Sequence, residues 1–271
     1  APLPRLGGVL RQAATRLDTG RGFALLRGLS LDRLGEAGAE ALLPLLGAHL
    51  GRAVPQGPGG EIVQRLASPA TDQPRWRFHA DAADIVALLV LRQPPEMDPA
   101  MLVAAATVHN ELLKRDRAAL ERLYAPLPHL LMGAVGVAPA AVQLPVFTMA
   151  SGAFVGRYAR DAIEAAEHLP GAAPLSTAQI AALDLLDAIA AEPGLALRVE
   201  VRPGDVLLLN PLQVWKRRAE APSGEAGAEA SESGTRQALR LLLVTPNSRA
   251  LPQGMVAIGE GTAAGGGMVG G

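Results

Sequence analysis

"WRFHADAADIVALLVLR", residues 76–92, decides the reading of this chain. Its second half, 84–92, is an apolar run of strand length and reads as a buried strand. Its first half sets His79 and Asp81 two residues apart, just ahead of that strand. The pair either holds a metal ion or decorates a strand entry as an ordinary histidine and a solvated aspartate. Two residues leave both readings open. The rest of the sequence has to supply further ligands and a fold.

The chain has 271 residues, 49% of them apolar and 19% charged, with a formal net charge of −1. That length suits one large domain or two small ones, with a hydrophobic core. No basic block exists, so a nucleic-acid partner is not expected. The absence of cysteine excludes disulfides, thiolate metal sites and thiol nucleophiles. No apolar stretch reaches the roughly 18 residues needed to span a bilayer. The N-terminal stretch lacks a basic-then-apolar signal pattern. A cytoplasmic protein that does not engage membranes is therefore expected. A Gly-x-Gly-x-x-Gly turn between strand and helix and a Gly-x-Ser-x-Gly elbow are both missing, which argues against a dinucleotide fold and a serine hydrolase.

Apolar spacing predicts helices over 4–18, 35–50, 107–124 and 176–192. Pro44 predicts a kink or break in the second. Ser176 is placed to cap the last, and Pro193-Gly194 to end it. Strands are predicted over 22–29, near 61–66, over 84–92, 197–201, 205–210 and 238–246, with a hairpin over 144–159 turned at Ser151-Gly152. The stretch 220–235 has no apolar side chain beyond Ala and Pro and is expected to be a flexible loop. A Gly-rich flexible tail is expected over 253–271, leaving 1–252 as a single domain. His49, His109 and His129 lack partner spacing and read as surface or core histidines. Strands and helices at irregular spacing point to a mixed α+β protein.

The ordered series "GFALLRGL", "LGAHLGRAVPQGPGGEIV", "FHAD" with "DIVALLVLR", "VHNELL", "LPVF" with "GRYAR", "RPGDVLLLN" and "RQALRLLLV" resembles the TauD/TfdA-type Fe(II)- and 2-oxoglutarate-dependent oxygenases, in particular their clavaminate-synthase-like branch. The resemblance runs over about residues 20–252. It implies a double-stranded β-helix, a jelly-roll or cupin-like barrel with flanking helices. It also implies Fe(II) and 2-oxoglutarate as cofactor and cosubstrate, and an unidentified small molecule as substrate. The iron of such enzymes takes two histidines and one carboxylate on one face. On that alignment His79 and Asp81 are metal ligands, aimed the same way by a strand end. Arg236 and Arg240 match the family's Arg-x-x-x-Arg, the first for the distal carboxylate of 2-oxoglutarate, the second for substrate or the near carboxylate. A guanidinium fork suits a carboxylate; two arginines on an edge strand would show the same spacing. Gln56 falls at the family's active-site loop, and Phe78, like Trp76, lines a pocket or packs in the core.

The sequence departs from the family at two places. "NPLQVWKRR" sets Asn210 and Pro211 on the family's Asn-Asn, Lys216 on the third iron ligand and Arg218 on the arginine that follows it. No histidine occurs after His168. A lysine amine keeps its proton near neutral pH and repels a divalent cation. Counting back from "VHNELL" sets Met97-Asp98-Pro99-Ala100 where the family has a hydroxyl that contacts the oxoacid. Three functions follow: an oxygenase acting on a small molecule; a catalytically degenerate homologue acting as a binding, scaffold or regulatory protein; or altered chemistry with Lys216 as a base or carboxylate anchor. In each case Lys216 is expected to point at His79 and Asp81. The oligomeric state and substrate are not legible.

Overall fold

The computed structural model describes residues 6–56, 60–68, 77–95, 99–131, 139–150, 152–217 and 236–245. The chain opens with helix α1 (Gly7–Asp18), strand β1 (Phe23–Leu26), helix α2 (Leu31–Gly47) and strands β2 (Arg52–Val54) and β3 (Val63–Ser68). Strands β4 (Ile85–Arg92) and β5 (Ala100–Ala104) lead into helices α3 (Ala105–Arg115) and α4 (Arg117–Tyr124). Two hairpins follow: β6 (Leu127–Leu131) with β7 (Ala140–Leu144), and β8 (Phe147–Ala150) with β9 (Ala153–Gly156). Helices α5 (Arg160–Ala166) and α6 (Thr177–Ala190) precede β10 (Leu197–Val199), β11 (Val206–Leu209), β12 (Val214–Arg217) and β13 (Arg236–Val244).

Two antiparallel sheets carry the site. The larger runs β1-β11-β4-β13-β2, with β3 also on β13; the smaller runs β10-β5-β12. Residues of both sheets meet in one buried cluster: Val86, Val90, Leu207, Leu209 and Leu242 from the larger, Leu102, Val199 and Val214 from the smaller. The other face of the larger sheet, through Ile85, Ala87, Leu89, Leu239, Leu241 and Leu243, packs on Leu10 and Leu17 of α1 and Leu43 and Leu46 of α2. The other face of the smaller sheet, through Val103 and Trp215, packs on Val108, Leu112, Leu120 and Leu186 of the remaining helices. The layers are thus helix, sheet, sheet, helix. Strand β4 reads as an unbroken apolar run because both of its faces are covered.

The mixed helix-and-sheet architecture matches expectation, and several element boundaries move. Helix α2 passes through Pro44 and is broken instead at Gly35, whose φ of 63° suits glycine. Pro44 lies in the last turn, and Ala39, Leu43 and Leu46 hold that turn against the sheet. The single helix expected over 107–124 is two, because Asp116 turns extended and its carboxylate accepts the N–H of Ala119 at 2.9 Å. Strands β2, β5, β6, β7 and β12 and helix α5 were not anticipated. The expected loop 220–235 and tail 253–271, together with Trp76, Met97, Asp98 and Arg218, lie outside the described residues. Among those described, no helix is long and apolar enough to cross a membrane.

Candidate functional site

Residues 77–81 are an extended segment pinned at each position. Arg77 pairs with Glu164 at 3.0 Å and Asp187 at 3.2 Å. Phe78 is 2% exposed in the core, with the Arg217 guanidinium 5.2 Å from its ring centroid. His79 and Lys216 exchange both backbone hydrogen bonds, 2.9 and 3.1 Å, as a cross-strand bridge. Ala80 donates its N–H to Tyr158 O at 2.6 Å. Strand alternation then fixes Lys216: Val214 lies between the sheets and Trp215 on the helix side, so Lys216 returns to the space between the sheets.

The three side chains converge. Lys216 Nζ lies 2.9 Å from His79 Nε2 and also donates to Asp81 Oδ2. The His79 Nδ1–H donates to Arg77 O at 3.3 Å, the tautomer that leaves Nε2 as acceptor for the ammonium. Arg240 donates to the other Asp81 oxygen at 2.9 Å. Burial of the Asp81 carboxyl, alone, would raise its pKa. The Lys216 ammonium, the adjoining His79 and the Arg240 guanidinium together outweigh burial and hold it well below the usual carboxylate range.

Arg240 is braced in turn. Its Nε donates to Gln56 Oε1 at 2.8 Å and its Nη2 to Gln64, the residue opposite it on β3. Gln56 returns its amide N–H to Arg240 O at 2.9 Å and to Ile62 O at 2.8 Å. Arg236 lies at the start of β13, with Nε on Gln93 Oε1 at 2.6 Å. Together with Lys216, Arg217, Leu66, Leu88, Leu207 and Ala238, it lines a cleft of about 90 Å³. Thus the structure joins His79, Asp81, Lys216, Arg240 and Gln56 in one hydrogen-bonded cluster, with Arg236 in the adjoining cleft.

Two expected pocket residues sit elsewhere. Asn210 uses both ends of its amide on structure, donating to Leu17 O and accepting from Leu212 N, each at 3.0 Å. This ties the β11–β12 turn to α1. Phe78 packs in the core rather than opening onto the cluster. Sequence reasoning missed Gln64 and Gln93, because their roles depend on strand register. Arg157, within "GRYAR", carries no spacing that marks a role. Among the described residues, no group of three His, Cys, Asp or Glu side chains could hold a metal ion.

Comparison with known proteins follows the same lines. The family profile "Taurine catabolism dioxygenase TauD, TfdA family" matches residues 2–227. FR-33289 synthase from Streptomyces rubellomurinus (strain ATCC 31215) is 28% identical over 273 residues, covering 93% of this chain and 77% of that one. Asparagine oxygenase, solved with Fe(II), 2S,3S-3-hydroxyasparagine and succinate, superposes with a TM-score of 0.65 at 20% identity, over 87% of this chain and 79% of the other. The non-heme iron oxygenase OrfP, solved with Fe and alpha-ketoglutaric acid, gives a TM-score of 0.60 at 20% identity, over 90% of this chain and 82% of the other. At such identities the two structures speak to the fold, and the profile match speaks to descent: this chain belongs to the TauD/TfdA dioxygenase family.

Proposed function

We propose that the protein is an oxygenase of this family acting on a small molecule, built on the family's double-stranded β-helix, with 2-oxoglutarate held at Arg236 and with iron binding restrained by Lys216. The observation that carries this reading is the position of Lys216 Nζ, bonded at once to His79 Nε2 and Asp81 Oδ2. Those are the imidazole and carboxylate donors on which a 2-His-1-carboxylate iron site draws. The ammonium lies between them, where a shared metal ion would have to lie.

The residues present do not fit Fe(II) as a three-ligand set. Two donors face one cation, and a protonated amine has no lone pair to give. No reaction step is therefore derived through iron. The residues do suit the oxoacid: the Arg236 guanidinium can hold a carboxylate in two hydrogen bonds, and Lys216 and Arg217 add positive charge to the same cleft. Arg240, locked on Asp81 and Gln56, keeps the Asp81 carboxylate ionised and oriented.

Anaerobic titration with Fe(II) in the presence of 2-oxoglutarate tests this, read by the metal-to-oxoacid charge-transfer band. The expected outcome is weak iron binding in the natural sequence and at least tenfold tighter binding in Lys216→His. Tight stoichiometric iron in the natural sequence would show that Lys216 does not hold the ligand position. A second reading, a ligand-binding homologue without oxygen chemistry, is favoured by the same Lys216–Asp81 pair. It predicts no band at any iron concentration and saturable 2-oxoglutarate binding in the presence of a chelator.

A further inference from the structure

Arg157 is a buried charge that the reading above leaves unused. It follows β9 directly, is 7% exposed, and its Nε has no hydrogen-bond partner. Its backbone N–H donates to Val146 O at 2.7 Å, and the next residue, Tyr158, accepts the N–H of Ala80. The side chains of Ala80 and Tyr158 enter the same core cluster. Alternation along the two paired segments turns their neighbours to the opposite face: His79 and Asp81 on one, Arg157 on the other. Arg157 therefore shares the face of the charged cluster.

Among the described residues no carboxylate there is left for it. Asp81 accepts Lys216 on one oxygen and Arg240 on the other. The field of Asp81 reaches the Arg157 guanidinium and partly offsets the lowering caused by burial. Arg157 also helps keep the buried His129 neutral, with Nδ1–H donated to Leu127 O at 2.9 Å, so that ring adds no positive charge to this face. The buried Arg157 Nε–H, a donor with no acceptor among the described residues, marks a place where a ligand completes the set. Among the described residues three cations, Lys216, Arg240 and Arg157, share this face with one carboxylate, Asp81, so the missing group is an anion.

We propose that Arg157 anchors the anionic head group of the small-molecule substrate, a carboxylate or a phosphorus oxyanion, at a position separate from the Arg236 cleft. Naming that ligand the substrate rests on the oxygenase reading, whereas its binding needs neither iron nor 2-oxoglutarate. A guanidinium fork meets either oxyanion with two parallel N–H donors, which a lysine would not.

The test uses the full chain in chelator, in an Arg236→Gln background that removes the oxoacid anchor. Acetate and methylphosphonate are titrated separately by calorimetry. One of them is expected to bind saturably, and the tighter names the oxyanion class. Adding Arg157→Gln should weaken that binding at least tenfold, and Arg157→Lys less. In the otherwise natural sequence without ligand, Arg157→Met should raise the melting temperature by roughly 2–4 °C, since it removes a buried charge with no partner. The proposal is overturned if neither probe saturates, if Arg157→Gln binds as tightly as its parent, or if Arg157→Met melts lower or fails to fold, which would make the guanidinium structural. Failure of the iron titration alone leaves these measurements unaffected.

Discussion

Asp81 is the charge on which the cluster turns. Its side chain is 7% exposed and its two cationic partners, Lys216 and Arg240, are 13% and 23% exposed. Removing one member of a buried ion cluster leaves the others without compensation, at about 3–5 kcal/mol. Asp81→Asn strands two cations, whereas Lys216→Met leaves Asp81 still paired with Arg240. Urea denaturation should therefore show Asp81→Asn losing about 3 kcal/mol or more, and Lys216→Met losing clearly less. Equal losses would mean that Arg240 does not hold the carboxylate. The pair His79 and Asp81 was visible in the sequence as a two-residue spacing. That Lys216 would face them followed from alignment with the family. Its bridge to His79 needed the fold, since the two lie on strands far apart in the chain.

Among the elements, α6 is the one whose local sequence dictates it most fully. Ser176 accepts the Gln179 N–H at 3.2 Å, and the Gln179 side chain accepts the Ser176 N–H at 2.8 Å, a reciprocal capping box. The helix carries Leu183, Leu186 and Ile189 into the core and Asp187 onto the Tyr158 hydroxyl at 2.6 Å. That bond ties it to the segment that pairs with Ala80. Ser176→Ala should cost about 1 kcal/mol and lower the melting temperature by roughly 2–4 °C, as measured by scanning calorimetry. No change would show that helix formation here depends on packing alone. Strand β12 is the opposite case. "VWKR" holds a lysine and an arginine at its end and looks like a surface turn, yet it is a strand because β5 pairs with it from Val214↔Ala104 to Arg217↔Met101. Val214 and Trp215 favour a strand and Lys216 and Arg217 do not, so four residues leave it undecided, and β-structure depends on the partner strand more than on the residues themselves. The break of α2 at Gly35 rather than Pro44 has the same origin: apolar burial carried the last turn past the proline.

For the molecule as a whole, acid sensitivity follows from buried ionisable groups. Burial pushes His129 down to about 4, the field of Arg157 adds to this, and the Nδ1–H bond to Leu127 O opposes it. The unfolded chain takes up that proton near pH 6.5 and the folded chain only near 4, so stability is lost as pH falls from 6.5 toward 4. At about 1.4 kcal/mol per pH unit the loss approaches about 3 kcal/mol. Asp81, held low by its cations, adds a second loss below about pH 4, where the unfolded carboxyl protonates first. Denaturation midpoints between pH 7 and 4 should show the first slope in the natural sequence and a much flatter one in His129→Gln; parallel curves would exclude His129 as its source. By itself the sequence determined what depends on neighbours along the chain: the buried strand of 84–92, the capped helix at Ser176, the faces of β13 that send Leu239, Leu241 and Leu243 one way and Arg240 with Leu242 the other, and, through its ordered motifs, the family. Only the tertiary structure decided that Lys216 sits between His79 and Asp81, that Gln56 and Gln64 brace Arg240 while Asn210 ties a turn to α1, and that Arg157 shares their face with its Nε–H unpaired among the described residues. Periodicity and capping act within a few residues and can be read in one dimension. Charge compensation is set by which segments a folded sheet brings within a few ångströms, and no spacing in the chain records that.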